Sequence, residues 1–380
     1  MSEVDRIITI TDRAGTGAPN FTNGVNFAGS DSGINPFTHT EGDTEPSSPS
    51  NGDTWWDTEN TVYKVYMDNA WKDWLGTSAV SASWWGTRGM RLGGEGDIAG
   101  RAEMDYFDLS VTSGNATDFG DLLSSVRRGT AAGDGSRGLL LGGLNQNTIQ
   151  YWAFATLGNT VDFGDLDQTR SYAASVSDAT KAIVGGGDSS SNNVIQYVTI
   201  QTAGNASDFG DLTAGRYFLS STNDLTHGIF LGGYTTAGTN IMDKITMGTL
   251  GNATDIGNLT ETNYGGGNGV CSDNTTGLMM GGARPASGGG TWNTNIDKLT
   301  IATAGNASDF GDLIKTINYN GQASNASNSR GVCIGGRSND GTGDQNVIQY
   351  VTISSPGNAT DFGDLTSNQD YCAGVSGAAS

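Results

Sequence analysis

The sequence predicts an all-β protein, a six-bladed β-propeller over residues 86–380 carried behind a small N-terminal β-meander module. Three observations carry this expectation. A nine-residue phrase recurs six times: GNATDFGDL (114–122), GNTVDFGDL (158–166), GNASDFGDL (204–212), GNATDIGNL (251–259), GNASDFGDL (305–313) and GNATDFGDL (357–365). Between its copies lies an apolar run closed by Gly-Gly, followed by a strand-length run such as IQYVTI. Gly supplies 59 of the 380 residues and Pro only 6, which disfavours helices, where each interior Gly costs about 1 kcal/mol relative to Ala.

The asparagines of the phrase, Asn115, Asn159, Asn205, Asn252, Asn306 and Asn358, lie 44 to 54 residues apart, the length of a propeller blade. Each unit holds four strand candidates. The first is rich in small residues, as in RSYAASVSD (170–178) and NYGGGNGVCSD (263–273), because innermost strands converge on the axis and large side chains would collide there. The second ends in Gly-Gly (RLGG, LLLGG, AIVGG, IFLGG, LMMGG, VCIGG). The third is β-branched and aromatic (YFDLSV, IQYWAF, IQYVTI, DKITMG, DKLTIA, IQYVTI), and the fourth is the DFGDL segment. The first unit starts at its second strand, RGMRLGG (88–94), and the chain runs on to a spare first strand, DYCAGVSG (370–377). A C-terminal strand completing the first blade closes the ring and removes its open edges.

This arrangement resembles kelch repeats, which also pair a Gly-Gly strand with an aromatic strand and open the next strand with Arg, here Arg170 and Arg216. Kelch blades carry a Trp after the third strand. Phe119, Phe163, Phe209, Phe310 and Phe362 stand in that role here, with Ile256 in the fourth copy. The resemblance covers about three quarters of the chain, implies a kelch-like propeller, and says little about function.

The organisation expected is a partly irregular attachment segment (1–45), an aromatic meander with its linker (46–85), and the propeller (86–380). Six of the eight tryptophans fall between Trp55 and Trp85. After the Pro/Ser stretch EPSSPSNGD (45–53), TWWDTENTVYKVYMDNAWKDWLG (54–76) reads as three short strands separated by turns. So small a meander is marginal alone, which makes Trp55, Trp56, Trp71 and Trp74 candidates for anchoring to another surface. AGTGAPNFTNGVNFAGSDSGINP (14–36) has no periodicity and is expected to be disordered unless docked. PSSPSNGDTWWDT, the Tyr-rich strand and AWKDW resemble the virion-attachment modules of tailed-phage fibre and appendage proteins, particularly from phages of marine cyanobacteria. That resemblance implies a virion protein made in the host cytoplasm, with other virion proteins as partners through its N-terminus, a host-surface glycan or receptor, and a homotrimer as the common state of such fibres.

Motifs that suggest chemistry have structural readings. The net charge of −21 disfavours binding to phosphate backbones, so no nucleic acid is expected. No run of about 18 apolar residues exists, so no membrane span is expected, and Met1–Arg13 lacks the apolar core of a signal peptide. A kinase uses one DFG with a catalytic-loop HRD, which is missing. The paired Asp residues of DFGD recur in five copies, which suits building a blade and bonding turn N–H groups better than catalysis or calcium. Asn-Ala-Ser/Thr matches the glycosylation sequon, yet Asn159-Thr160-Val161 breaks it and keeps the turn, so a turn role is read for the Asn.

Cys271, Cys333 and Cys372 form no CxxC pair and are expected as small buried residues. His39 and His227 are far apart in sequence, so neither a copper or zinc centre nor a triad is expected, and His227 reads as a solvated turn residue. No cofactor and no enzymatic activity are expected.

Binding is expected instead on the loops between second and third strands, which vary from LNQN (144–147) to ARPASGGGTWNTN (283–295) and RSNDGTGDQN (337–346). The candidate recognition residues are Arg284, Trp292, Arg337 and Tyr234, with Trp292 offering a flat face or, equally, packing over its neighbouring blade. The functional reading is a virion structural and attachment protein. The alternatives are a bacterial surface adhesin or kelch-type scaffold and, behind them, a carbohydrate-active enzyme.

Overall fold

β-branched and aromatic runs separated by Gly-containing turns fold here, unit by unit, into small antiparallel sheets. The computed structural model describes residues 39–73 and 86–378, apart from positions 43, 45, 50–52, 58–61, 68–69, 97–99, 190, 266–270, 285–290 and 326–329. The expected irregular segment 14–36 and Trp74 therefore lie outside the described residues. The chain divides into two units, Met1–Ser81 and Ala82–Ser380. No helix is present among the described residues, hence none long and apolar enough to cross a membrane.

The smaller unit holds the expected meander, Thr54–Asp57, Val62–Met67 and Ala70–Asp73, and a strand that was not expected. His39–Gly42 pairs in parallel with Thr54–Asp57, with His39 opposite Thr54. The chain between these two strands must cross over, since a parallel pair cannot be joined by a tight turn. HTEG, four residues without alternation, carries no periodic signal of its own. Trp55 is buried, with the Lys64 ammonium 5.1 Å from its ring centre.

The larger unit is a six-bladed β-propeller. From axis to rim, the first blade is Ala373–Gly377, Arg88–Leu92, Arg101–Asp108 and Thr117–Val126, closed by the C-terminal strand as expected. The second is Thr130–Gly133, Arg137–Gly143, Gln146–Ala153 and Val161–Asp165, and the third Ala174–Ser177, Lys181–Gly185, Val194–Thr199 and Ser207–Asp211. The fourth is Ser220–Asn223, His227–Leu231, Thr239–Thr246 and Thr254–Asn263. In the fifth, Thr276–Met280, Asn295–Thr300 and Ser308–Asp312 follow an isolated bridge from Ser272 to Gly277, and a ribbon joins Ala283–Arg284 to Thr291–Trp292. The sixth is Gly321–Asn325, Arg330–Ile334, Gly343–Thr352 and Thr360–Gln369, with Arg337–Ser338 folded back on its third strand. Innermost strands are shorter than read from sequence: in RSYAASVSD only Ala174–Ser177 is strand.

Those strands are buried yet polar, because their side chains bond the main chain of the blade before them. Ser175 Oγ donates to Ala131 O, Ser221 to Ser175 O and Ser272 to Asn223 O, at 2.9, 2.7 and 2.6 Å. Asn223 Nδ2 reaches Ser177 O and Ser376 Oγ reaches Ser324 O. Small hydroxyl residues therefore fit the axis on two grounds, volume and the need to satisfy buried carbonyls. The three cysteines lie fully buried, and burial raises each thiol.

The recurrent phrase is the clasp between blades. Its Asn does more than turn the chain: the Oδ1 of Asn159, Asn205, Asn252, Asn306, Asn358 and Asn115 accepts from the N–H of Asp121, Asp165, Asp211, Asn258, Asp312 and Asp364 in the adjoining blade, at 2.9 to 3.1 Å. The residue after each Asn donates its N–H to the carbonyl of that same neighbour. The Gly of DFG sits at φ of 143 to 152° and meets the next blade's Gly, where a Cβ on it would stand about 2.4 Å from the carbonyl oxygen. No L side chain fits there.

Of the DFGD carboxylates expected to bond turn N–H groups, Asp361 does so to Gly363, as does Asp255 to Gly257 in the GNATDIGNL copy. The Phe beside that Gly is buried against the following blade, with the third-strand Tyr of its own blade edge-on at about 6 Å in four blades. Each such ring contributes about 2 kcal/mol by burial.

Replacing Asn205 with Ala removes one clasp and should cost about 1 kcal/mol, lowering the melting temperature by roughly 2 °C. Calorimetry of the full chain checks this; an unchanged transition would mean the bond is dispensable. Deleting residues 373–380 strips the first blade of its innermost strand and leaves Arg88–Leu92 as an open edge. The expected result is a loss of several kcal/mol, read as a large fall in melting temperature and as aggregation, and a truncated protein that melts like the parent would contradict closure by this strand.

Candidate functional site

One end of the propeller axis is built by a corner repeated six times, where the chain enters each innermost strand. The residue after Gly-Gly donates its N–H to the residue that opens the corner: Glu95 to Asp370, Leu144 to Arg127, Asp188 to Ser171, Tyr234 to Tyr217, Ala283 to Tyr264 and Arg337 to Asn318, at 2.7 to 2.9 Å. The next residue is left-handed in every blade: Arg128 (φ 64°), Tyr172 (60°), Phe218 (59°), Gly265 (67°), Tyr319 (59°) and Tyr371 (49°). This conformation turns the peptides around the axis. Arg128 N donates to Tyr371 O, Tyr172 N to Arg128 O, Leu219 N to Tyr172 O, Gly265 N to Phe218 O, Tyr319 N to Gly265 O and Tyr371 N to Tyr319 O. A bulky residue pays about 1–2 kcal/mol for a left-handed backbone, and the closed circle of bonds offsets it.

The side chains meet over the axis. Tyr172 and Phe218 lie 3.9 Å apart between ring centres, Phe218 and Tyr319 5.5 Å, Tyr319 and Tyr371 4.1 Å in a stack, and Tyr371 and Tyr172 5.8 Å. The Arg128 guanidinium is 4.8 Å from the ring centres of both Tyr172 and Tyr371. On the side of the fourth and fifth blades the cluster widens. Tyr217 lies 4.8 Å from Phe218 and 5.5 Å from Tyr234, and Tyr264 lies 5.4 Å from Tyr234 and 5.9 Å from Phe218. These seven aromatics are half-buried, forming a platform and not a cleft. Burial raises the hydroxyl of Tyr172 to about 12 and also lifts those of Tyr217, Tyr264 and Tyr371, so all four stay protonated donors at neutral pH.

The opposite flank is ionic. Glu95 pairs with both Arg127 and Arg128. Asp370 is buried behind it, and desolvation, then Asp344 and Glu95, push its carboxyl up to about 7 against the pull of Arg337 and Arg128. Arg337 pairs with Asp344 at 3.7 Å on this flank, whereas the Arg284–Glu261 pair, at 2.5 Å, joins the fourth and fifth blades on the aromatic side.

The four candidate recognition residues all lie at this end. Tyr234 is part of the aromatic platform, Arg337 enters the ring through its main chain, and Arg284 and half-buried Trp292 sit on the fifth-blade ribbon. Part of the fifth-blade loop, 285–290, is outside the described residues. The central aromatics were missed by sequence reasoning, which placed SY, NY and DY inside the innermost strands. The signal available was their common offset after DFGDL. His227 opens a strand, with its Nδ1 3.1 Å from Asp224 Oδ2, rather than standing free in the turn. Among the described residues no group of three or more His, Cys, Asp and Glu is placed to hold a metal ion.

A scan against protein-family models finds no match to this chain, and a search of curated proteins finds none.

Asp370 gives this end a pH signature. Its folded carboxyl titrates near 7 and its unfolded one near 3.8, so the folded state holds the proton more tightly. Its contribution to stability is full below about 4 and is lost as pH rises through 7. Asp370→Asn should therefore raise the melting temperature relative to the parent at pH 8 and not at pH 4. An equal difference at both values would refute the buried-acid reading.

Proposed function

We propose that the chain is a virion attachment protein of a tailed phage, its N-terminal unit anchoring it to other virion proteins and its propeller displayed to bind the host surface. Its task on this reading is binding and not catalysis. The observation that carries the reading is the axial platform of seven half-exposed aromatics on a ring clasped at every blade, a rigid display surface with paired ions at its edge. Aromatic residues with a polar tip on a pre-organised scaffold suit recognition, because little side-chain freedom is lost on contact. The resemblance of TWWDT and AWKDW to attachment modules supports the division between the two ends, and the same resemblance supports a trimeric virion component. A surface adhesin or kelch-type scaffold could use the same platform; location on a particle separates them.

Antibody labelling and mass spectrometry of purified particles should find the chain on the virion. A variant lacking residues 1–81 should no longer be incorporated, while the same propeller, added free, should compete with phage for host cells. Particles without the chain, or normal incorporation of the truncated form, would overturn this function.

A further inference from the structure

Four rings of the axial face form a closed circuit: Tyr217 touches Tyr234, Tyr234 touches Tyr264, Tyr264 touches Phe218, and Phe218 touches Tyr217, with centre distances of 4.8 to 5.9 Å. They are half-exposed and packed on one another, so nothing inserts between them and a ligand must lie across them. Beside them Glu261 and Arg284, paired at 2.5 Å and both partly exposed, adjoin Tyr264, whose main chain bridges Ala283. A carboxylate next to a guanidinium presents acceptors and donors a few ångströms apart, the spacing that adjacent hydroxyls on a sugar ring require. The apolar C–H face of a pyranose matches the flat ring surface.

Charge narrows the class. The chain carries −21, and Arg284, Arg337, Arg127 and Arg128 at this end each face a carboxylate. A carboxylated, sulfated or phosphorylated glycan would have to displace one of those carboxylates against the general repulsion of an acidic protein. We propose that the surface formed by Tyr217, Phe218, Tyr234, Tyr264, Glu261 and Arg284 is a binding site for an uncharged saccharide, and that this site, rather than Trp292, makes the principal contact with the host envelope. The proposal deepens the attachment reading and rests on it.

The test uses the full-length chain on an array of neutral oligosaccharides printed beside uronate-, sialate-, sulfate- and phosphate-bearing ones, in parallel with binding to intact host cells. Neutral glycans should bind, with an affinity changed less than about twofold between 50 and 500 mM salt, since no ion is released. Tyr234→Ala and Tyr264→Ala should each weaken that binding by roughly tenfold or more, and Glu261→Gln by less, with melting temperatures within about 3 °C of the parent. Trp292→Ala should retain binding. If a tyrosine variant unfolds, Glu261→Gln, at an exposed position, and Arg284→Gln, at a partly exposed one, carry the test alone. Preference for acidic glycans with a steep salt dependence, or binding to host cells with no glycan captured, would overturn this inference and leave attachment standing. Failure to bind either cells or glycans would overturn both.

Discussion

The seam between blades is the constraint on which this molecule rests. Each four-stranded sheet is too small to bury its own faces, so its apolar side chains find cover only against the next sheet, as Phe119 does among Ala131, Leu140, Trp152 and Phe154. Non-directional burial would let two blades slide. Direction comes from polar contacts that repeat at every seam: the Asn side chain onto the neighbour's N–H at the rim, and a buried acceptor on each third strand nearer the axis. Asp105, Gln150, Gln196, Asp243, Asp297 and Gln349 accept from the outer strand, or the residue just past it, of the preceding blade, as with Thr213 on Asp243 at 2.6 Å and Leu123 N on Gln150 at 2.8 Å. Because the set includes Asn115 on Asp364 and Thr366 on Asp105, the ring is sealed by the same bonds that build it.

Cations that a surface reading would assign to solvent serve this seam. Arg137 and Arg330 lie over Tyr151 and Tyr350 of their own blades and donate to Ile200 O and Leu109 O of the next; Arg88 does likewise toward Phe154 O. Arg91, Arg170 and Arg216 are wholly buried, each satisfying two carbonyls at a Gly-Gly turn. In the fourth blade Asp243 also pairs with Arg216, at 2.6 Å. Burial lowers the Arg170 and Arg216 guanidinium groups from their ordinary value, with Asp167 and Asp243 opposing it. The first blade reaches the same end from a different strand, since Arg91 comes from Arg88–Leu92 and not from the corner. What is repeated is the need of the turn carbonyls for donors.

The axial platform is a by-product of closure. Six left-handed residues are required to carry the hydrogen-bonded circle around the axis, and five of them are not Gly, which leaves five large side chains gathered at one point. Their identity is free of the backbone requirement, as Arg128 and Gly265 demonstrate by occupying the same place. The face is therefore six-fold in its main chain and lopsided in its chemistry, aromatic with a single Arg–Glu pair beside the fourth and fifth blades and ionic beside the first, second and sixth.

Blade number, strand order and closure by the C-terminus were legible in the chain itself. They follow from periodicity, and a phrase repeated at blade length determines its own partner whatever the distant sequence does. The clasp was legible as a motif and misread as to mechanism: GNATDFGDL looks like a local turn, and its Asn bonds an amide in another blade, 38 to 48 residues away where the neighbours follow in sequence and 249 away at the closing seam. The parallel strand His39–Gly42 gave no signal because its pairing is set by a crossover and not by any pattern in four residues. The candidate loop residues share one end of the propeller, as expected of loops between second and third strands, since which loops emerge together follows from strand order. The aromatic centre was not, because Tyr172, Tyr217, Tyr264, Tyr319 and Tyr371 belong to five separate corners and become one surface only when the ring closes. Sequence alone determined that there would be six blades; only the tertiary structure decided what they share at the axis, because convergence of distant residues on a common centre is a consequence of closure and has no counterpart along the chain.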